Sequence, residues 1–342
     1  MNLKQKRLLS TYLFLTFLLS PMAAYAADIT EQLHRPANKT FSQETRNQAD
    51  SLLRVGEQQY NAGTADKAIE SWLKALEIYH GLRDARAQGL IYNLLSKSYI
   101  RLGRFKEAED AFRRRLAIAR DTKDFQAQIF ALNNIASLML QKEEAKAALQ
   151  TVEDAVQISR NIKSIEGEGL SLSNMGLAVA ALGDYNRAIK LYEMSLNYRR
   201  QTRDPIGEAS TLNNLGDAYL AMGDYQNTIG TYGAAMGIAK MSRDRKNQLR
   251  AIDGLVTAHS SVGRYPRAFE LLETRLIISQ DLQNLEEELK SFESYAQLYE
   301  KLGNFPTAGN FYERAIILAI RLDDSQKEVL LLDRLTQLRK KK

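Results

Sequence analysis

The chain has 342 residues, a formal net charge of +6 and no cysteine. Without cysteine, disulfide bonds, thiolate chemistry and lipid attachment at a lipoprotein cysteine are excluded. The surplus positive charge lies at the two ends, within residues 1–26 and 339–342. The body between them is close to neutral, so the composition does not indicate a basic face for nucleic acid.

The first 26 residues predict a secretory signal peptide. The start is positive, residues 8–19 are mainly apolar, and Ala24 and Ala26 are the small residues that precede a cleavage site. The apolar run is shorter than the roughly 20 residues of a transmembrane helix. We therefore expect an exported, periplasmic protein cut after Ala26, with an uncleaved membrane anchor facing the periplasm or lumen as the alternative. Residues 27–43 predict a flexible lead-in.

From residue 44 the sequence repeats with a period of 40. A glycine recurs at one place in each repeat except the third, where Glu143 stands. Small and apolar residues fill columns three or four positions apart, which is helical periodicity. Periods of 20–50 residues are typical of solenoids. The glycines are Gly63, Gly103, Gly183, Gly223, Gly263 and Gly303.

Each repeat predicts a helix, a tight turn and a second helix. Glycine ends the first helix because it adopts the left-handed conformation without steric cost. A second boundary, 21 residues later, carries N-cap residue types from Asp84 to Asp324. Basic residues just before it, such as Arg203, are interpreted as favourable charges at the helix C-terminus. The repeats are 44–84, 85–124, 125–164, 165–204, 205–244, 245–284 and 285–324.

The predicted fold class is all-α: an α-solenoid of seven helix-turn-helix repeats and a C-terminal capping helix at 325–342 with a basic tail. Such a cap is expected to be polar, because the last repeat has no neighbour. Repeat 3 has Glu143-Glu144-Ala145 where Gly-Asp-Tyr is expected. An irregular turn and a locally weak repeat are expected there.

Residues 212–219 and 222–225 resemble the tetratricopeptide repeat (TPR), and residues 172–185 and 99–105 match it less fully. The resemblance covers 44–324. The usual TPR has about 34 residues, and this longer version is similar to the subclass found in bacterial regulators and kinesin-light-chain-like adaptors. The resemblance implies a right-handed superhelix whose first helices line a concave groove that binds protein or peptide.

The resemblance also implies a binding site, because asparagines at one place in the first helices hold the backbone of an extended ligand. Asn134, Asn174 and Asn214 match that place, although they could instead bridge neighbouring first helices. Three second-choice asparagines lie one residue earlier, about 100° around the helix. Basic residues toward the C-terminus favour an acidic segment. The candidate partner-binding residues are Asn134, Asn174, Asn214, Asp217, Ser210, Asn93, Asn133, Asn213, Arg250 and Lys290.

The sequence predicts no catalytic, cofactor or metal site. His34, His80 and His259 belong to no catalytic or ligand motif, and Trp72 lies in an apolar column. We expect a non-enzymatic adaptor for a protein or peptide, with no nucleic acid partner, and the basic tail permits peripheral contact with anionic lipid. Two alternatives stay open. One is an assembly factor for a membrane complex, such as photosystem maturation in a photosynthetic bacterium, and the other is a peptide-sensing regulator.

Export makes the first prediction. Because cleavage is expected after Ala26, mass spectrometry of the mature protein should find Ala27 at its N-terminus. A soluble cytoplasmic fraction that holds the chain with Met1 intact would contradict both cleavage and export.

Overall fold

The computed structural model describes residues 39–340, which form fifteen α-helices and, within that range, no strand. Repeated helix pairs confirm the predicted all-α solenoid class. The predicted signal peptide lies outside the described residues. The first helix begins at Lys39, so residues 39–43 of the predicted lead-in are helical and extend the first repeat. No helix in the described range has the length and hydropathy needed to span a bilayer.

The helices alternate between first and second members of each repeat. Those from α2 to α14 all have 17 residues, and three-residue connectors separate them, so the 40-residue repeat is two equal halves. In chain order they are α1 (Lys39–Asn61), α2 (Ala65–Gly81), α3 (Ala85–Arg101), α4 (Phe105–Asp121), α5 (Phe125–Gln141), α6 (Ala145–Asn161), α7 (Ile165–Ala181), α8 (Tyr185–Gln201), α9 (Pro205–Ala221), α10 (Tyr225–Met241), α11 (Arg245–Ser261), α12 (Tyr265–Asp281), α13 (Leu285–Lys301), α14 (Phe305–Arg321) and α15 (Ser325–Arg339).

The connectors share one backbone pattern. At the end of α2, Arg83 is left-handed with φ 54°. Its N–H donates to the carbonyl of His80, and the Asp84 N–H donates to the carbonyl of Tyr79, both at 3.0 Å. This is a Schellman motif, which satisfies the free carbonyls of a helix end. The Asp84 carboxylate then accepts from the Ala87 N–H at 2.9 Å, so the same connector begins α3.

The six glycines of the first connectors all have positive φ, which confirms their predicted role. The second connectors place residues other than glycine in the same conformation. The basic residues before each boundary, such as Arg203 with φ 53°, therefore lie beyond the helix at its left-handed C′ position. Their interpretation as charges within the last helical turn needs this correction. These left-handed residues are Arg83, Lys123, Lys163, Arg203, Arg243, Gln283 and Asp323.

The turn of repeat 3 is regular, which contradicts the expectation from its sequence. Glu143 has φ 63°, its N–H donates to the carbonyl of Leu140 at 3.1 Å, and the Glu144 N–H donates to that of Met139 at 2.9 Å. The backbone bonds thus match those of the glycine turns. The cost is local, since Glu143 is held in a left-handed conformation and Glu144 makes no side-chain cap.

The chain divides into an N-terminal unit, which ends at Ala111, and a C-terminal unit, which begins at Phe112. In the N-terminal unit Trp72 is 1% exposed, and its indole N–H donates to the carbonyl of Leu53 at 3.2 Å. This confirms Trp72 as a core residue. In the C-terminal unit Tyr232 packs so closely on Gly254 that a Cβ there would lie 2.2 Å from the Tyr232 ring. Glycine in this first helix therefore admits the buried aromatic ring.

The capping helix α15 is only partly the polar cap that was expected. Leu331, Leu335 and Leu338 are buried in the core cluster that also contains residues of α13 and α14. Val329 and Leu332 are 66% and 43% exposed. They occupy the columns of Leu289 and Phe292, which are buried in repeat 7. The apolar outer face arises because α15 keeps the residues of a first helix, whereas the described chain ends before a second helix.

The Glu143 turn generates the second prediction. Glu143→Gly should raise the free energy of unfolding by about 1 kcal/mol, because glycine removes the left-handed strain at a smaller entropic cost. Hydrogen exchange of residues 140–147 should slow accordingly. The reciprocal control, Gly223→Glu in repeat 5, should lose a similar amount. Faster exchange in Glu143→Gly would show instead that the Glu143 side chain stabilises the turn.

Candidate functional site

Two adjoining cavities open on the first helices of the C-terminal unit. The larger, of about 920 Å³, is lined mainly by residues of α7, α9, α11 and α13. The smaller, of about 470 Å³, continues along α11 and α13. Asp253, Arg275 and Lys290 line both cavities. We call the two together the groove.

The groove brings half of the predicted site residues together. Those that line it are Asn174, Asn214, Ser210, Arg250 and Lys290. Asn133, Asn134 and Asn213 belong to the first helices but line neither cavity, and Asn93 lies in the N-terminal unit. Asp217 also lies outside the lining, where it accepts hydrogen bonds from the Tyr232 hydroxyl and from Arg250. The predicted asparagine ladder is therefore represented in the groove by two members.

Those two asparagines hydrogen-bond neighbouring first helices. Asn174 Nδ2 donates to Asn133 Oδ1 at 2.8 Å, which joins α7 to α5. Asn214 Nδ2 donates to Ser173 Oγ at 3.4 Å, which joins α9 to α7. The alternative of asparagines that bridge helices thus describes both residues in the unliganded chain. Each amide still has a carbonyl oxygen to offer a backbone N–H.

The adjacent asparagine column is buried. Asn133 is 1% exposed, and its Nδ2 donates to the Ile129 carbonyl and to Ser171 Oγ, both at 2.8 Å. Asn213 is fully buried and donates to the Asn247 carbonyl at 3.1 Å. Asn134, by contrast, makes no hydrogen bond with any residue in the range 39–340. One residue of displacement around a helix thus separates a structural amide from an uncommitted one.

A buried arginine lies between the two cavities. Arg275 of α12 is 1% exposed. Its Nε donates to Asp253 Oδ1 at 2.5 Å, and its two Nη atoms donate to the Glu287 carbonyl at 2.7 Å and to Glu287 Oε2 at 2.9 Å. Burial raises the pKa of Glu287, but hydrogen bonds from Lys290 and Arg275 outweigh it and leave this pKa below its ordinary value. The network ties α11, α12 and α13 together.

Every carboxylate that lines the groove has a partner. Asp204 caps α9 and pairs with Arg199, and Asp244 caps α11. Asp253 and Glu287 hold Arg275. Glu293 pairs with Lys327 at 2.9 Å. The negative charge of the groove is therefore committed to the protein itself.

Two lysines of the groove have no carboxylate partner. Lys246 makes no hydrogen bond or ion pair in the part of the chain that the structure describes. Lys301 donates only to the carbonyl of Ser260, at 2.9 Å. Arg250 and Lys290, which the sequence singled out as basic, are instead paired with Asp217 and Glu287. The charge that the groove offers to a ligand is positive, but it comes largely from residues other than those predicted.

The sequence analysis missed Arg275, Arg199 and Lys246. Arg275 had a usable signal, since it stands in a column of the second helices that otherwise holds alanine or serine, apart from Arg115. A charge in a column of small residues indicates a buried partner. Lys246 carried no such signal, because whether it pairs depends on its neighbours in space. No group of residues in the described range could hold a metal ion.

Comparisons with known proteins agree with this geometry. The family model described as tetratricopeptide repeat matches residues 47–121, 128–201 and 207–280, which are more than half of the chain. None of the curated proteins compared matches it. Among solved structures, the apo form of the quorum sensor NprR from B. thuringiensis has a TM-score of 0.64 at 16% identity, over 91% of this chain and 85% of that one.

Two further structures share the fold. The apo form of RapI has a TM-score of 0.63 at 14% identity, over 81% of this chain and 99% of that one. A Rap protein complexed with Competence and Sporulation Factor has a TM-score of 0.56 at 14% identity, over 86% of this chain and 98% of that one. At such identities the likeness establishes the fold.

The neighbouring asparagines of α5 give the third prediction. Asn133→Ala should lower the free energy of unfolding by about 1–3 kcal/mol, because Asn174 and Ser171 lose a buried partner. Asn134→Ala, the matched control, should leave it unchanged or raise it by a few tenths of a kcal/mol, since alanine is the better helix former. Urea denaturation of both variants measures the difference. Equal losses would mean that Asn134 also has a structural role.

Proposed function

The chain belongs to the tetratricopeptide repeat family, and from that premise we propose that it is an exported, non-enzymatic scaffold that binds a protein or peptide segment in the groove. The observation that carries the proposal is the open, continuous cavity lined by four successive first helices. A surface of this kind suits an extended chain better than a small molecule, which is usually enclosed. Export rests on the predicted signal peptide.

The dimensions of the groove support a peptide ligand. Packed helices lie about 10 Å apart, so α7 to α13 covers about 30 Å. An extended chain rises about 3.3 Å per residue, so about nine residues fit. Ser210 makes no hydrogen bond within residues 39–340 and can donate to or accept from a ligand backbone. Asn174 and Asn214 add amide oxygens at successive helices.

A second candidate is a peptide-sensing regulator. The observation in its favour is the fold shared with NprR, which is described as a quorum sensor, and with the Rap protein complexed with Competence and Sporulation Factor. The two candidates use the same groove. They differ in consequence, because a sensor must change its conformation on binding whereas a scaffold need not.

Site-specific crosslinking tests the proposal and is the fourth prediction. A photoreactive residue is placed in the groove, at Ser210 or Gln297, and the protein is incubated with extract from its native compartment. The matched controls carry the same residue at Lys190 or Lys240, which are exposed on second helices and line neither cavity. We expect a crosslinked polypeptide from the groove positions alone. Equal crosslinking from the control positions would move the binding site to the other face.

A further inference from the structure

We propose that the groove selects a two-part polypeptide segment, with apolar side chains at repeats 4 and 5 and at least two Asp or Glu residues at repeats 6 and 7. This inference rests on the proposed function and assigns the chemistry of the ligand. It follows from the distribution of apolar surface and unpaired charge along the groove.

The end at repeats 4 and 5 is apolar and carries no charge on its first wall. Every residue of α7 that lines the larger cavity is uncharged: Leu170, Ser173, Asn174 and Leu177. Ile206 of α9 lines the same cavity and is 57% exposed, although it is a large apolar side chain. Covering this surface with apolar ligand side chains is favourable at about 25 cal/mol per Å² of area removed from water.

The end at repeats 6 and 7 offers positive charge only. Its carboxylates are held by the Arg275 network, by Lys327 and by the cap of α11. Lys246 and Lys301 have no carboxylate partner, and the Lys290 side chain is 53% exposed beside Glu287. A basic ligand would therefore have to displace an existing ion pair before finding a partner, whereas an acidic ligand would not. Such complementarity selects partners by charge.

The positions of the lysines require more than one acidic group. Lys246 lies in the first turn of α11, and Lys301 is the last residue of α13. Helices of 17 residues are about 25 Å long, so one carboxylate cannot reach both ammonium groups. The smaller cavity runs along both helices, from Asp253 to Ser261 and from Lys290 to Lys301. An acidic run can therefore follow this cavity and meet each lysine in turn.

The separation of the two parts follows from the helix spacing. From α7 to α11, and from α9 to α13, there are two helix spacings, or about 20 Å. That distance corresponds to about six residues of extended chain. The preferred segment therefore has its apolar and acidic parts centred about six residues apart.

Selection from a displayed library of random peptides of about 15 residues, long enough to cross the groove, tests the proposal. On the unaltered protein, selected peptides should be enriched in Leu, Ile or Phe in one part and in Asp or Glu about six residues away. Lys246→Glu/Lys301→Glu should weaken those peptides about tenfold, or about 1.4 kcal/mol. Selection on that variant should favour Lys or Arg in the second part and keep the apolar part.

The control is Lys190→Glu/Lys240→Glu, which changes the net charge equally on exposed second-helix positions outside the groove. It should bind the selected peptides within about twofold of the unaltered protein, since distant charges are screened by salt. Selected peptides without the two-part pattern, or equal weakening by both double variants, would overturn this inference and leave peptide binding intact. Failure to select any peptide would overturn the proposed function with it.

Discussion

The three-residue connector is the constraint on which the rest of the structure depends. One residue in the left-handed conformation ends a helix, and the next residue caps the following helix, as at Arg83 and Asp84. Because both ends share these residues, the helices from α2 to α14 keep one length. An added residue would rotate the next helix by about 100° and turn its groove-facing side chains away. The groove can therefore be formed by side chains that recur every 40 residues only because the connectors do not vary.

The fold could be predicted because its determinants are local. Glycine at Gly223 and a capping residue at Asp224 have one physical explanation each, and both are found in those roles. Arg203 was harder, since a basic residue near a helix end has two explanations: attraction to the helix dipole, or tolerance of the left-handed position with the side chain in solvent. The regular turn at Glu143 has the same origin, because the backbone bonds of the connector outweigh the preference of one residue.

The site could be predicted only in outline because its determinants lie between helices. The repeat pattern places asparagines at Asn133 and Asn134, but it cannot show which amide faces a neighbouring helix. That depends on a rotation of about 100° around α5, and the structure gives the buried position to Asn133. Arg275 illustrates the same limit. Its column indicated an exception, but its partners Asp253 and Glu287 come from two other helices.

The groove takes its charge preference from internal pairing rather than from composition. The chain has 47 basic and 41 acidic residues, and counts this close do not predict an acidic ligand. The preference arises because Asp253 and Glu287 must stay ionised to balance Arg275, which is buried and would be strongly destabilising without them. The interaction that ties repeats 6 and 7 together thus also removes their carboxylates from the binding surface. Lys246 and Lys301 remain available for that reason, so the stability of this end of the groove and its selectivity have a common physical cause.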